Sequence, residues 1–189
     1  MHKSITLLRN SSIAGAFCTL LVAPLTVSAA PTQAGSWYMG LQAGQAEIVS
    51  KASGYEWNPI IANGRVGFFP ISQLAIETRL GGGVSDDKAN GIDLGLDHLI
   101  GAYTVVHAIT FQDMFSFYFL GGLNQHQFEK NASSWSSKPS SELELSYGGG
   151  LDIYVHNNLG INIEYISYQD DDEDGDTFSA INAGVTWFY

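Results

Sequence analysis

The run Thr177-Phe178-Ser179-Ala180-Ile181-Asn182-Ala183-Gly184-Val185-Thr186-Trp187-Phe188-Tyr189 closes the chain and limits its folds more than any other stretch. Every second residue back from the end is apolar: Tyr189, Trp187, Val185, Ala183, Ile181. Those between are small or polar (Thr186, Gly184, Asn182, Ala180), with Phe188 the exception. A period of two gives a strand with one greasy face. Chain ends usually carry a few loose polar residues. Here the chain stops on Trp-Phe-Tyr. The pattern predicts the closing strand of a barrel whose greasy face meets lipid.

The first 29 residues read as a separate object. Lys3 and Arg9 give a positive start, Ile13 to Leu25 is apolar apart from Thr19 and Pro24, and Val27-Ser28-Ala29 fits a small-residue cleavage site. These are the marks of a secretory signal peptide, and the apolar core falls short of the ~20 residues that span a bilayer. Residues 30–189 are then one domain. Removing Lys3 and Arg9 takes the net charge from −11 to −13, with six of the eight basic residues left against nineteen acidic ones. Phosphates would be repelled, so nucleic acid is excluded as a partner. The single cysteine, Cys18, lies in the leader. An exported chain with no disulfide must hold itself together by backbone pairing and packing. No second run of about 20 apolar residues follows, so a membrane-embedded form has to be a closed barrel.

Alternation divides the rest into eight strands: 36–45, 62–69, 73–84, 92–108, 115–125, 142–155, 159–168 and 177–189. Long or medium connections (46–61, 85–91, 126–141, 169–176) alternate with short ones (70–72, 109–114, 156–158). This rhythm fits an eight-stranded antiparallel up-and-down transmembrane β-barrel, all-β, with tight turns at one rim and loops at the other. A soluble barrel would turn its apolar residues inward around a ligand. Here the second face is Gly, Ser, Asn, Gln and charge. In the fourth strand, Leu94 and Leu96 fall on the lipid side and Asp93, Gly95 and Asp97 on the other.

Arg65, Glu77, Arg79, Glu144, Asp152 and Glu164 all fall on the face away from lipid. Eight strands enclose a space that side chains just fill. An isolated buried ion costs several kcal/mol, so these charges must pair. Arg65 and Arg79 are the expected hubs, bound by Glu77, Glu144 and Glu164, as a structural plug in preference to a gated ion path.

With the strands placed, the sequence resembles the small outer-membrane β-barrel family of OmpA/OmpX type. The likeness is carried by Trp37-Tyr38-Met39-Gly40-Leu41-Gln42-Ala43-Gly44, Ser146-Tyr147-Gly148-Gly149-Gly150-Leu151-Asp152, Ile161-Asn162-Ile163-Glu164-Tyr165 and Gly184-Val185-Thr186-Trp187-Phe188-Tyr189. It covers 36–189. The resemblance implies the cell outer membrane of a Gram-negative bacterium and insertion by the barrel-assembly machinery, which reads a terminal aromatic. The family usually ends in Phe; here Trp187 and Tyr189 are the expected insertion signal.

Other chemistry is sparse. Asp170, Asp172, Asp174 and Gly175 match the opening of an Asp-x-Asp-x-Asp-Gly calcium loop, with the three aspartates as the candidate metal ligands. The closing Glu would fall at Ile181, so the loop reads better as a solvated acidic tip, bridged by divalent ions to lipopolysaccharide phosphates. His98, His107, His126 and His156 form no Ser–His–acid arrangement, which argues against an enzyme. No motif requires a cofactor. Binding residues collect in loops on rigid scaffolds, and Tyr55, Trp57, Phe128 and Trp135 are loop aromatics. The expected role is structural or adhesive, through four surface loops, with lipid and lipopolysaccharide as surroundings. A narrow pore for small solutes or ions is the alternative.

Overall fold

The computed structural model describes residues 32–51, 54–89, 92–111, 114–131, 143–156, 158–170 and 176–189; the predicted leader, residues 1–29, lies outside them. Eight long strands carry the architecture: β1 (Trp37–Ser50), β3 (Ile60–Ile71), β4 (Leu74–Ser85), β6 (Ile92–Phe111), β7 (Phe115–Asn131), β8 (Glu144–His156), β9 (Leu159–Gln169) and β10 (Asp176–Phe188). Each pairs antiparallel with its neighbours, and β10 returns to pair with β1, so the sheet closes. Two short strands, β2 (Tyr55–Trp57) and β5 (Asp87–Ala89), pair with β1 and β6. Among the described residues no helix is long and apolar enough to cross a membrane.

Alternation builds the wall. Along β1, Tyr38, Gln42, Ala46 and Ile48 are buried, while Trp37, Met39, Leu41 and Ala43 face out. The outward set continues around the barrel through Val66, Ile76, Leu80, Ile100, Phe119, Leu145 and Ile163, and Leu41 is 62% exposed. A band this apolar and this open to the outside is stable only against hydrocarbon. The closing strand behaves as its period predicts: Ile181 and Tyr189 point out, Asn182, Thr186 and Phe188 point in. Met39 pairs with Trp187 and Leu41 with Val185. The amides and carbonyls of Trp37 and Tyr189 bond reciprocally, at 3.0 and 2.8 Å.

The rims follow the connections. The β3–β4 turn has two residues between paired Ile71 and Leu74, with Gln73 in the left-handed region at φ 76°. At the other rim the strands run further than the sequence pattern predicts. β1 continues through Glu47 to Ser50, and β7 continues to Asn131. Glu47 read as loop because a charge on the lipid side is costly in hydrocarbon; above it, that side faces water and the sheet continues.

A second difference concerns the lumen. Pairing of β6 with β7 jumps from Leu96–Phe128 to His98–Gln127. One extra residue in a strand reverses its facing. Leu94 and Leu96 are therefore buried inside with Leu99, and Asp97 is exposed. A strict period of two through 92–108 puts Leu94 and Leu96 on the lipid side, and the bulge overturns that. A further irregularity lies between β9 and β10, where Ser167 pairs with Ser179 and Gln169 with Phe178; there Ser167 is buried along with Ile166 and Tyr168 on either side of it.

Glycines make room for the ring side chains inside. A Cβ on Gly67 would sit 2.1 Å from the Tyr38 ring. Gly67→Ala is expected to destabilise the barrel by about 1–3 kcal/mol through overpacking. The measurement is the urea midpoint at which the compact form that runs anomalously on a gel until boiled is lost.

Candidate functional site

The lumen is filled in three layers. At the turn rim lies a ring cluster: Tyr38 contacts Phe69 and Phe188 at centroid distances of 5.4 and 5.8 Å, and Phe188 meets Tyr154 at 5.5 Å. Strand alternation drops all four rings inward, where they are buried.

Above them is the charge layer. Arg79 on β4 gives its Nη1 and Nη2 to both oxygens of Glu164 on β9, at 2.5 and 2.8 Å, and its Nε to Glu77 Oε1 at 2.5 Å. Such a fork is the strong form of an ion pair. Glu77 also accepts from the Tyr38 hydroxyl at 2.5 Å, and Glu164 from Tyr118 at 2.9 Å. Arg65 on β3 donates through Nη2 to Thr186 Oγ1 at 2.6 Å and to Asp152 Oδ1 at 3.4 Å, with Glu77 Oε2 at 3.7 Å. The guanidiniums lie over rings, Arg79 over Tyr103 at 4.9 Å and Arg65 over Tyr38 at 5.6 Å. Arg79 and Glu77 are 0% exposed. Without this bonding, burial of so many charges would be prohibitive. His107 joins at the side, Nδ1 to Ser116 Oγ at 2.9 Å and 3.9 Å from Asp152 Oδ2.

The third layer is apolar. Ile48, Ile61, Leu94, Leu96, Leu99 and Phe178 are buried under the loop rim, with Trp57 of β2 folded in on top. Phe178 stacks on Tyr168 at 4.7 Å and meets Phe128 edge-on at 5.2 Å. His126 sits among these rings, its Nδ1 at 2.8 Å from Asn124 Oδ1 and its Nε2 at 3.1 Å from Gln169 Oε1. The backbone N–H of Asn58 donates to Asp87 Oδ2 at 2.7 Å, which ties the connection carrying β2 to the one carrying β5.

The structure brings together Arg65, Glu77, Arg79, Asp152 and Glu164. It leaves Glu144 out. That residue is half-buried at the top of β8, and among the described residues its carboxylate pairs with neither arginine. The reason is height: Gly150 is the residue opposite Glu164, so Glu144 stands six residues further up, about 20 Å at roughly 3.3 Å per residue. Asp152, which the sequence placed on the inner face without naming it as a partner of the arginines, pairs with Arg65. The phenols of Tyr38 and Tyr118 and the hydroxyl of Thr186 went unassigned, although their strand parity already pointed them inward.

Asp170 is exposed and accepts a bond from the Tyr147 hydroxyl at 2.7 Å; Asp172 and Asp174 lie outside the described residues. Among the described residues no three acidic, His or Cys side chains converge as metal ligands. Trp57 is buried and Tyr55 and Phe128 are half-buried, so these three loop aromatics serve packing before any contact with a partner; Trp135 lies outside the described residues. His98 is half-buried, with its Nδ1 2.9 Å from Asp97 Oδ2, and His156 is exposed in the β8–β9 turn region.

A closed antiparallel barrel, greasy outside and charge-filled inside, defines an outer-membrane protein of the small-barrel type. The model of the outer membrane protein beta-barrel domain family matches residues 17–188. The chain belongs to that family and resides in the outer membrane. No curated protein sequence matches it. Solved structures share the fold. Neisserial surface protein A aligns with 19% identity and a TM-score of 0.67, over 81% of this chain and 98% of that one. The attachment invasion locus protein Ail of Yersinia pestis, in complex with the heparin analogue sucrose octasulfate, aligns with 18% identity and a TM-score of 0.61, over 83% and 100%. OprG from Pseudomonas aeruginosa aligns with 12% identity and a TM-score of 0.55, over 85% and 99%.

The height argument separates two carboxylates that the sequence treats alike. Arg79→Met strands Glu77 and Glu164 and is expected to cost about 3–5 kcal/mol. Glu144→Gln is expected to stay within about 0.5 kcal/mol. Urea titration of the refolded barrel, followed by intrinsic fluorescence, checks both.

Proposed function

We propose that this chain is a closed, non-conducting outer-membrane barrel that acts through its outward-facing rim, in envelope structure or in surface adhesion. One observation carries the reading: ring, charge and apolar layers follow one another along the lumen. An ion crossing it would have to break the Arg79–Glu164 fork and then pass the packed layer of Ile48, Ile61, Leu94, Leu96, Leu99 and Phe178. Residues 1–29 act as the export signal, Trp187 and Tyr189 as the aromatics read by the barrel-assembly machinery, and lipid and lipopolysaccharide as the surroundings. The lumenal histidines have structural partners, which supports a non-enzymatic role.

Charge narrows the adhesion ligand. Glu47, Glu56, Asp86, Asp97 and Asp170 are exposed toward the loop rim, where Lys51 is exposed as well. Ail was solved with a sulfated heparin analogue. An acidic rim repels such a polyanion, and the fitting ligand is neutral or cationic.

In planar bilayers the purified protein is expected to give no discrete conductance steps; regular single-channel steps would establish the pore alternative. On a heparin column at low salt it is expected to elute in the flow-through. Loss of attachment in a deletion strain, restored by the wild-type chain, is the expected adhesion phenotype. Unchanged attachment with a weakened envelope would leave the structural role alone.

A further inference from the structure

The run Ser146-Tyr147-Gly148-Gly149-Gly150 on β8 marks a place on the outer wall that neither the lumen nor the rim accounts for. Alternation turns Tyr147 and Gly149 outward. Gly149 lies across from Tyr165 on β9 and from Phe119 on β7, and Tyr147 lies across from Gly121. Phe119, Tyr147 and Tyr165 are 63%, 49% and 53% exposed. Gly149 and Gly121 carry no side chain, so the wall here is a notch: a glycine floor between three projecting rings. Tyr147 and Tyr165 are diagonal neighbours across the β8–β9 pair, a spacing of about 7–8 Å.

The notch has a polar end and an apolar one. On the loop side the Tyr147 hydroxyl donates to Asp170 Oδ2 at 2.7 Å. Asp170 is exposed, so its carboxylate stays open to a further partner. On the turn side the notch runs down into the apolar belt.

Each part restricts the occupant. A divalent ion needs several oxygen ligands, and among the described residues no three acidic, His or Cys side chains converge. One carboxylate matches one positive charge. Ring faces hold an organic ammonium by cation–π attraction within about 6 Å of the centroid. An anion would meet Asp170 and the acidic rim. The lower end opens on hydrocarbon, so the fitting molecule carries an alkyl tail.

We propose that this notch binds a membrane amphiphile with an ammonium head. The head lies at Asp170 between the rings of Tyr147 and Tyr165, and the tail lies over Gly149 along Phe119. The bond from Tyr147 to Asp170 holds ring and carboxylate in one place. The site is on the lipid-facing wall and is independent of adhesion through the rim.

The test uses the protein refolded in neutral maltoside micelles, with dodecylammonium as the probe. Titration is expected to shift the ring resonances of Tyr147 and Tyr165 along a saturating curve. Nuclear Overhauser contacts are expected from both rings to the methylene beside the ammonium nitrogen, and these need no variant. Asp170→Asn is expected to weaken binding about tenfold, the scale of one hydrogen bond to a charged group. Tyr165→Leu keeps the bulk, removes the ring and is expected to weaken it about threefold. Dodecanol lacks the charge and butylammonium lacks most of the tail, and each is expected to bind about tenfold or more weakly. Butylammonium binding as tightly as dodecylammonium would overturn the assignment to a membrane amphiphile. Shifts that never saturate, equal shifts at Tyr189 in the opposite girdle, or an unchanged affinity in Asp170→Asn would overturn the site.

Discussion

Everything in this molecule depends on the pairing of β10 with β1. In hydrocarbon there is no water to satisfy a free strand edge, and each unbonded backbone group costs several kcal/mol. The register from Tyr38–Phe188 to Ser50–Asp176 removes the two edges that an eight-strand sheet would otherwise expose. Once the ring is closed, the rest follows. The outer face must be apolar, and the inner face must fill a fixed volume with whatever the other half of each alternating strand supplies.

That inner face solves its problem differently at different heights. At mid-height, arginine and glutamate are held because every strong donor of Arg79 finds an acceptor. Nearer the loops, leucine, isoleucine and phenylalanine take over. A buried ion network is weak evidence for stability in itself. It is directional, though, and only one pairing of β4 with β9 across the lumen satisfies it. The apolar layer supplies burial with little directional demand. The combination gives one half of the lumen specificity and the other half burial energy.

Much of this was legible in the sequence because a period of two leaves little choice. The eight strands, their facing and the rhythm of turns and loops came from alternation, as did the inward direction of Arg65, Arg79, Glu77, Asp152 and Glu164. Three things were not legible. The bulge at Asp97 adds a residue that alternation has no way to announce, and it turns Leu94 and Leu96 from lipid to lumen. Height was the second. Facing says which side a residue is on and nothing about its level, so Glu144 and Asp152 looked equivalent until strand register placed them along the axis. Trp57 shows a third limit: a tryptophan in a polar, charged connection reads as exposed, whereas β2 carries it back over the mouth.

The bond from the Asn58 amide to Asp87 has a mechanical meaning. It joins two surface connections that are separate in sequence, and each of them is also hydrogen-bonded to its own wall strand, β2 to β1 and β5 to β6. A force or a binding event on either connection is therefore shared between two points on the wall, on opposite sides of the β3–β4 hairpin. Trp57 stands next to that bond and on top of the apolar layer. These two connections are tied to each other and to the wall, so a partner grasping one would load both.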